Sequence, residues 1–213
     1  MKITSNRRRI GVLALQGDFD AHVKAVVEAG GEAVPVKTPE QVAAVDGLIL
    51  PGGESTTIGK LMVRYGLDEA VRSAYQAGKP VYGTCAGMIL LSKRIVSGEE
   101  IGGQPTLGLM DVSVARNAFG RQVDSFEADI DAPEVVGGDE LEKLRGVFIR
   151  APYIAEAGPD VYILARYDDR IVLARQGNLL ASAFHPEITG DTRVHRYFLR
   201  MVDEAGSADN RER

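Results

Sequence analysis

Short apolar runs, each ending at a glycine-rich turn and each followed by a stretch of helical periodicity, leave the first half of this chain few ways to fold. "RIGVLALQG" (residues 9–17) reads as a buried strand, "FDAHVKAVVEAG" (19–30) as a helix closed by Gly30 and Gly31, and "EAVPVK" (32–37) as a second strand. The cycle repeats with strand-like "VDGLILPGG" (45–53), helical "STTIGKLMVRYG" and "LDEAVRSAYQAG", and "KPVYGTCAG", which runs from a strand into a tight turn. Such alternation predicts a parallel sheet with helices on both faces. From residue 107 the character changes. "LGLMDVSVARN", "SFEADI", "GVFIRAP", "VYILARYDD", "RIVLARQGN" and "LLASAFHPE" are strand-like and joined by short polar turns, which predicts an antiparallel portion. A helix over 191–205 closes the fold and the polar tail 206–213 frays. The expected architecture is a three-layer α/β fold on an open mixed sheet. It forms one domain over residues 10–205, preceded by a basic extension at 1–9.

Composition removes several function classes. A chain of 213 residues with 45% hydrophobic content buries a sizeable core. Its 25 Lys and Arg against 30 Asp and Glu leave a net charge of -5, with no basic excess to neutralise a phosphate backbone, so nucleic acid is not an expected partner. "MKITSNRRR" lacks the apolar stretch of a secretory signal, and no run approaches the length of a membrane span. A cytoplasmic protein is expected. One cysteine excludes an internal disulfide, and with only His22, His185 and His195 beside it the chain has too few ligands for a metal cluster.

The lone thiol, Cys85, sits in "GTCAG" (83–87), the thiol counterpart of the G-x-S-x-G nucleophile elbow. Gly83 and Gly87 permit a sharp turn that lifts the sulfur out of the sheet's carboxyl edge to an exposed position. There the start of a helix near Ala86 favours thiolate. The alternative is a small buried hydrophobe between turn glycines. Of the histidines, His22 and His195 fall inside helical patterns and read as surface or packing residues. His185 ends a strand in "SAFHPE", two residues before Glu187; in an extended segment the two side chains project to one side, so Glu187 can hold the imidazole. "LPGGES" (50–55) ends another strand with consecutive glycines, which form either a plain turn or an oxyanion donor. The proposed donors are the amides of Gly53 and Ala86.

These residues resemble those of the class I, triad-type glutamine amidotransferases, whose fold is flavodoxin-like, and more closely those of the glutaminase subunits of pyridoxal 5'-phosphate synthase. The segments "LALQGDF", "LILPGGESTTIGKL", "GTCAGMILL", "ARNAFGRQVDSFEADI", "GVFIRAP" and "SAFHPEIT" follow one another in the order of that family and span nearly the whole chain. The resemblance implies Cys85 as nucleophile, His185 as acid/base and Glu187 as its orienting carboxylate. It also implies that Gly53, Glu54, Ser55, Arg116, Ile149 and Arg150 bind L-glutamine, and that Gln16 lies near the oxyanion hole and the partner interface. It implies no cofactor, and ammonia delivery to a (β/α)8-barrel synthase subunit in a large hetero-oligomer. Two rivals use the same residues: a free-standing γ-glutamyl hydrolase, and a redox sensor oxidised at Cys85.

Overall fold

The computed structural model describes residues 8–97, 103–116, 125–137 and 142–209. Most of the expected N-terminal extension, part of "RNAFGRQVDSFE" and the last residues of the tail lie outside them. The chain forms β1 (Arg9–Leu13), α1 (Phe19–Glu28), β2 (Glu32–Val36), α2 (Pro39–Ala43), β3 (Gly47–Leu50), α3 (Ser55–Arg64), α4 (Leu67–Gln76), β4 (Val81–Thr84), α5 (Ala86–Leu91) and β5 (Ser92–Ser97). It continues with β6 (Met110–Ala115), β7 (Ser125–Ile130), α6 (Pro133–Val136), β8 (Leu144–Ile149), β9 (Tyr153–Ala157), β10 (Tyr162–Tyr167), β11 (Arg170–Gln176), β12 (Leu179–Ser182) and α7 (Arg193–Asp209). The strand order of the main sheet is β2-β1-β3-β4-β12-β11-β9-β6-β5, with β10 on β11; β7 and β8 form a separate two-stranded ribbon.

The first four strands of that order pair in parallel, and β12 joins β4 in parallel, register Ser182 to Thr84. β3, β4 and β12 are buried at every position, as strands covered on both faces must be. The two covers are visible at β3. A β-carbon on Gly47 would touch Val202 and Phe198 of α7, whereas Leu50, three residues on and so on the opposite face, touches Gly87 of α5. Beyond β12 the sheet turns antiparallel through β11, β9 and β6, as expected of the second half, but β5 pairs parallel to β6 at its far edge.

Several elements differ from the sequence reading. β1 stops at Leu13, so Gln16 stands on a loop and not on the strand. α2 was not anticipated. It is short, yet Thr38 and Gln41 form a reciprocal capping box around Pro39, which supplies the start that five residues could not hold alone. β9 and α6 were also unread, and α7 runs on through Gly206 to Asp209 in place of an early fray. No helix among the described residues is long and apolar enough to cross a membrane.

The tightest packing lies under α5. A β-carbon on Gly87 would fall 2.0 Å from the Leu50 carbonyl oxygen, and one on Gly83 would fall 2.5 Å from the Gly87 carbonyl carbon. Both obstacles are backbone and cannot rotate away. Gly87→Ala should therefore lower stability by about 1–3 kcal/mol or more, seen as a fall of roughly 2–10 °C in Tm. Gly103→Ala, where no atom of the described residues beyond its chain neighbours lies within 4 Å, should leave Tm within about 1–2 °C. Equal Tm values for the two variants would contradict this packing.

Candidate active site

Three neighbouring strands, β3, β4 and β12, end at one edge of the sheet, and the residues just past their ends meet there. Past β3 come Gly52 and Gly53, past β4 comes Cys85, and past β12 comes His185. They line a cavity of about 410 Å³ together with Gln16, Glu54, Ser55, Ala86, Arg116, Ile149 and Arg150, so that every site residue expected from the sequence borders it except Glu187. Asp18, Ile89, Pro152 and Ile188 line it as well and were not anticipated.

Cys85 has φ 49° and ψ -101°, a conformation that L-residues rarely adopt. Its N–H donates to Ser182 O at 2.8 Å, which fastens the turn to β12. The thiol is not exposed as expected: the residue is 8% accessible and faces the cavity, because α5 folds directly back onto β3. With only six residues in α5, the positive charge nearest the sulfur comes chiefly from His185.

His185 Nδ1 lies 2.7 Å from Glu187 Oε1, and the ring borders the same cavity as Cys85, whose thiol interacts with it electrostatically. Extended-strand alternation does not produce this pairing. β12 has ended at Ser182, and Pro186–Ile188 is a single 3-10 turn, opened by proline's fixed φ, that folds Glu187 back under the ring. Burial opposes a charge on His185, but its interactions with Cys85 and Glu187 outweigh it and raise its pKa to about 10. Glu187 is buried too, which by itself would favour the neutral acid. His22 and His185 outweigh that and hold its pKa well below the carboxylate range.

Gly52 and Gly53 are required by close approach. A β-carbon on Gly52 would sit 2.3 Å from His185 Cε1, and one on Gly53, at φ +147°, would sit 2.6 Å from Gln16 Oε1. Gln16 Oε1 accepts the Glu54 N–H at 2.8 Å, so the loop after β1 holds the loop after β3. Glu54 caps α3, accepting from Thr56 and Thr57 at 3.0 and 2.6 Å. Partial burial opposes its charge, but these bonds and the Thr56 and Thr57 hydroxyls lower its pKa to about 2. Arg116 Nη2 stands 3.9 Å from the same carboxylate, and its Nη1 donates to Gln104 Oε1 at 2.8 Å. Arg150 reaches the cavity from the end of β8 in a left-handed conformation, φ 42°. His185 N–H donates to Val147 O at 2.8 Å, which draws β8 to the site.

Of the two alternatives for the other histidines, surface or packing, the structure shows packing. His22 and His195 are fully buried, and neither is a surface residue. His22 Nε2 lies 3.1 Å from Thr84 Oγ1 and 3.4 Å from Glu187 Oε1, while its Nδ1 is 3.0 Å from His195 Nε2. No metal-binding group of His, Cys, Asp and Glu occurs among the described residues.

Comparison with known proteins gives a consistent set of relatives. The SNO glutamine amidotransferase family matches residues 12–204. The chain is 57% identical over 198 residues to the pyridoxal 5'-phosphate synthase subunit PdxT of Pelotomaculum thermopropionicum, covering 93% of this chain and 97% of the relative. The PdxT subunit of Geobacillus kaustophilus is 55% identical over 202 residues, covering 95% of this chain and 98% of the relative. A crystal structure described as a glutamine amidotransferase superposes with TM-score 0.82 at 50% identity, over 91% of this chain and 98% of that one. A Thermoplasma acidophilum protein described as a putative GMP synthase subunit shares the fold at TM-score 0.67 and 16% identity, over 96% of this chain and 98% of that one.

The lowered pKa of Glu187 has a defined sign. Its stabilising contribution is present above about 4.5 and is lost as pH falls toward the lower folded-state value. The stability gap between wild type and Glu187→Gln should therefore narrow as pH falls from about 6 to about 2. Urea denaturation at a series of pH values measures it; two parallel curves would show that the carboxylate charge does not contribute.

Proposed function

Because the chain belongs to the SNO glutamine amidotransferase family, we propose that it hydrolyses L-glutamine to L-glutamate and ammonia as the glutaminase subunit of a pyridoxal 5'-phosphate synthase. The observation that carries this reading is the His185 ring, held by Glu187 Oε1 at 2.7 Å and facing, together with Cys85, a cavity of about 410 Å³.

Cys85 is the nucleophile and attacks the side-chain amide carbon of glutamine. Gly53 and Ala86, both on the cavity wall, supply the amides that receive the oxyanion. The protonated His185, oriented through Nδ1 by Glu187, gives its proton to the amide nitrogen. The C–N bond breaks and ammonia leaves, with a glutamyl thioester remaining on Cys85. His185 then takes a proton from water, hydroxide attacks the thioester, and glutamate departs as the thiolate is restored. Arg116 and Arg150 suit the substrate carboxylate, since a guanidinium fork matches its planar geometry. Glu54, ionised at neutral pH and beside Ser55, suits the α-ammonium. Substrate binding by Gly53 and Ile149 follows from their place on the wall.

Ammonia reacts as a nucleophile only while unprotonated, which favours its delivery to a docked (β/α)8-barrel subunit within a large hetero-oligomer. A nucleophilic free thiol fits the reducing cytoplasm. Residues 10–205 form one glutamine amidotransferase domain in this reading, supported by the family match over 12–204. Gln16 is the link to the partner: through its bond to the Glu54 N–H it sets the loop that carries Gly53.

With the barrel subunit present, Cys85→Ala should lower glutamate release by at least about 10³-fold while leaving partner binding intact, and His185→Asn should lose at least as much rate as Glu187→Gln. Substantial turnover by Cys85→Ala would sink the mechanism. Titrating the barrel subunit into the wild-type chain at saturating glutamine should raise the rate about 5- to 150-fold to a plateau at a fixed subunit ratio. Gln16→Ala should blunt that rise more than any basal rate. A free subunit as fast as the complex would mean that docking serves delivery alone.

A further inference from the structure

Behind the proposed triad, on the side away from the cavity, lies a polar cluster that the reaction as written does not use. His22 on α1, His195 on α7, Thr84 at the end of β4 and Glu187 in the 3-10 turn come from four separate elements, and both histidine rings are fully buried. We propose that His22 is a positioning residue for glutamine hydrolysis: held by His195, its Nε2–H steadies the Glu187 carboxylate so that His185 stays aimed at Cys85. This inference rests on the glutaminase reading.

The hydrogen-bond arithmetic supports one direction along the cluster. Burial lowers the pKa of His195 to about 3, so that ring is neutral and carries one N–H. His195 Nδ1 is buried without a partner among the described residues, whereas His195 Nε2 lies 3.0 Å from His22 Nδ1. An orphaned buried donor costs more than an orphaned lone pair that still has neighbouring dipoles, which places the proton on Nε2, donating to His22. His22 Nδ1 is then an acceptor and its proton sits on Nε2. That N–H faces Thr84 Oγ1 at 3.1 Å and Glu187 Oε1 at 3.4 Å. The opposite tautomer would point a bare ring nitrogen at a buried carboxylate.

Glu187 needs such a hold. Its Oε1 bonds to His185 Nδ1 at 2.7 Å, and its Oε2 is buried with no partner among the described residues. A carboxylate fixed by one bond pivots about it; the His22 Nε2–H, shared with Thr84 Oγ1 and 3.4 Å from the same carboxylate oxygen, restrains that freedom. Gly52 closes the opposite flank, with room for no atom beyond its α-carbon beside His185 Cε1. The imidazole is thereby confined between the Gly52 backbone and a carboxylate that His22 keeps from turning.

The test compares His22→Met with His22→Gln, side chains of equal length of which only Gln presents an N–H near the position of the ring Nε2. Glutamate release is followed with the barrel subunit bound. His22→Met should lower kcat about 10- to 100-fold, the usual cost of losing an outer partner of a reacting group, with KM for glutamine within about twofold. His22→Gln should recover most of the loss. The inference is overturned by a His22→Met enzyme with near wild-type kcat, by a loss carried in KM, or by equal impairment of the two variants. Should His22→Met fail to fold, the same comparison is made at His195, where Met should lower kcat and Gln restore it; equal rates there overturn the inference. A wild-type complex that releases no glutamate overturns the glutaminase reading and this inference with it. An active wild type beside a fully active His22→Met overturns this inference alone.

Discussion

Where α5 crosses the sheet, main chain touches main chain with no side chain between. The α-carbon of Gly87 lies against the Leu50 carbonyl, and Gly83 lies against Gly87. That contact lets a helix begin one residue after β4 ends and lean immediately over β3. The connecting residue has no choice but the left-handed turn, and the connecting residue is Cys85, at φ 49°. The flanking strands, buried throughout, over-determine the turn and hold the strain. Because β3 and β12 are the neighbours of β4, the segments that follow them have to emerge beside the sulfur. Gly52, Gly53 and His185 are therefore placed by strand order before any side-chain interaction is considered.

The same logic explains what could be read from the sequence. Cys85 was legible because a thiol between two glycines after an apolar run has few structural reasons to exist, and the parallel core was legible because β3 and β4 are unbroken apolar runs. Glu187 was assigned to the right partner through the wrong geometry, since only the coordinates reveal that Pro186 opens a 3-10 turn. His22 and His195 were illegible. Each occupies an ordinary helical pattern, and their mutual contact spans 173 residues of sequence. β5 escaped for another reason: its "SKRIVS" is half exposed and charged, which is how an edge strand avoids pairing further but also how it loses its apolar signature. The start of α2 was written plainly as Thr38, Pro39 and Gln41, yet a five-residue helix is too short to show periodicity.

Two carboxylates at this edge have lowered pKa values for unlike reasons. Glu187 is ionised inside the protein because imidazoles surround it, and its charge is locked to one direction. Glu54 is solvent-exposed, and backbone amides at the start of α3 keep it ionised. The first arrangement orients a proton carrier. The second holds a negative charge in a fixed place at the cavity wall, with its oxygens on the amides of Thr56 and Thr57 and an arginine 3.9 Å away.

The residues that line the cavity ride on different pieces of backbone. Arg150 and Ile149 belong to the β7–β8 ribbon, which shares no ladder with the main sheet and is fastened to it by the His185 to Val147 hydrogen bond and by aromatic packing of Phe148, fully buried, on Phe184. The thiol, its imidazole and the glycine loop all belong to the sheet. Phe126 and Phe148 pack on Tyr167 of β10 as well, so the ribbon rests on the sheet through side chains, which leaves its own length and charges free to change over evolutionary time while the glycine contacts beneath the thiol stay under an unchanging steric constraint. Ile149 and Arg150 can in this way be exchanged at the cavity wall without disturbing the turn that carries Cys85.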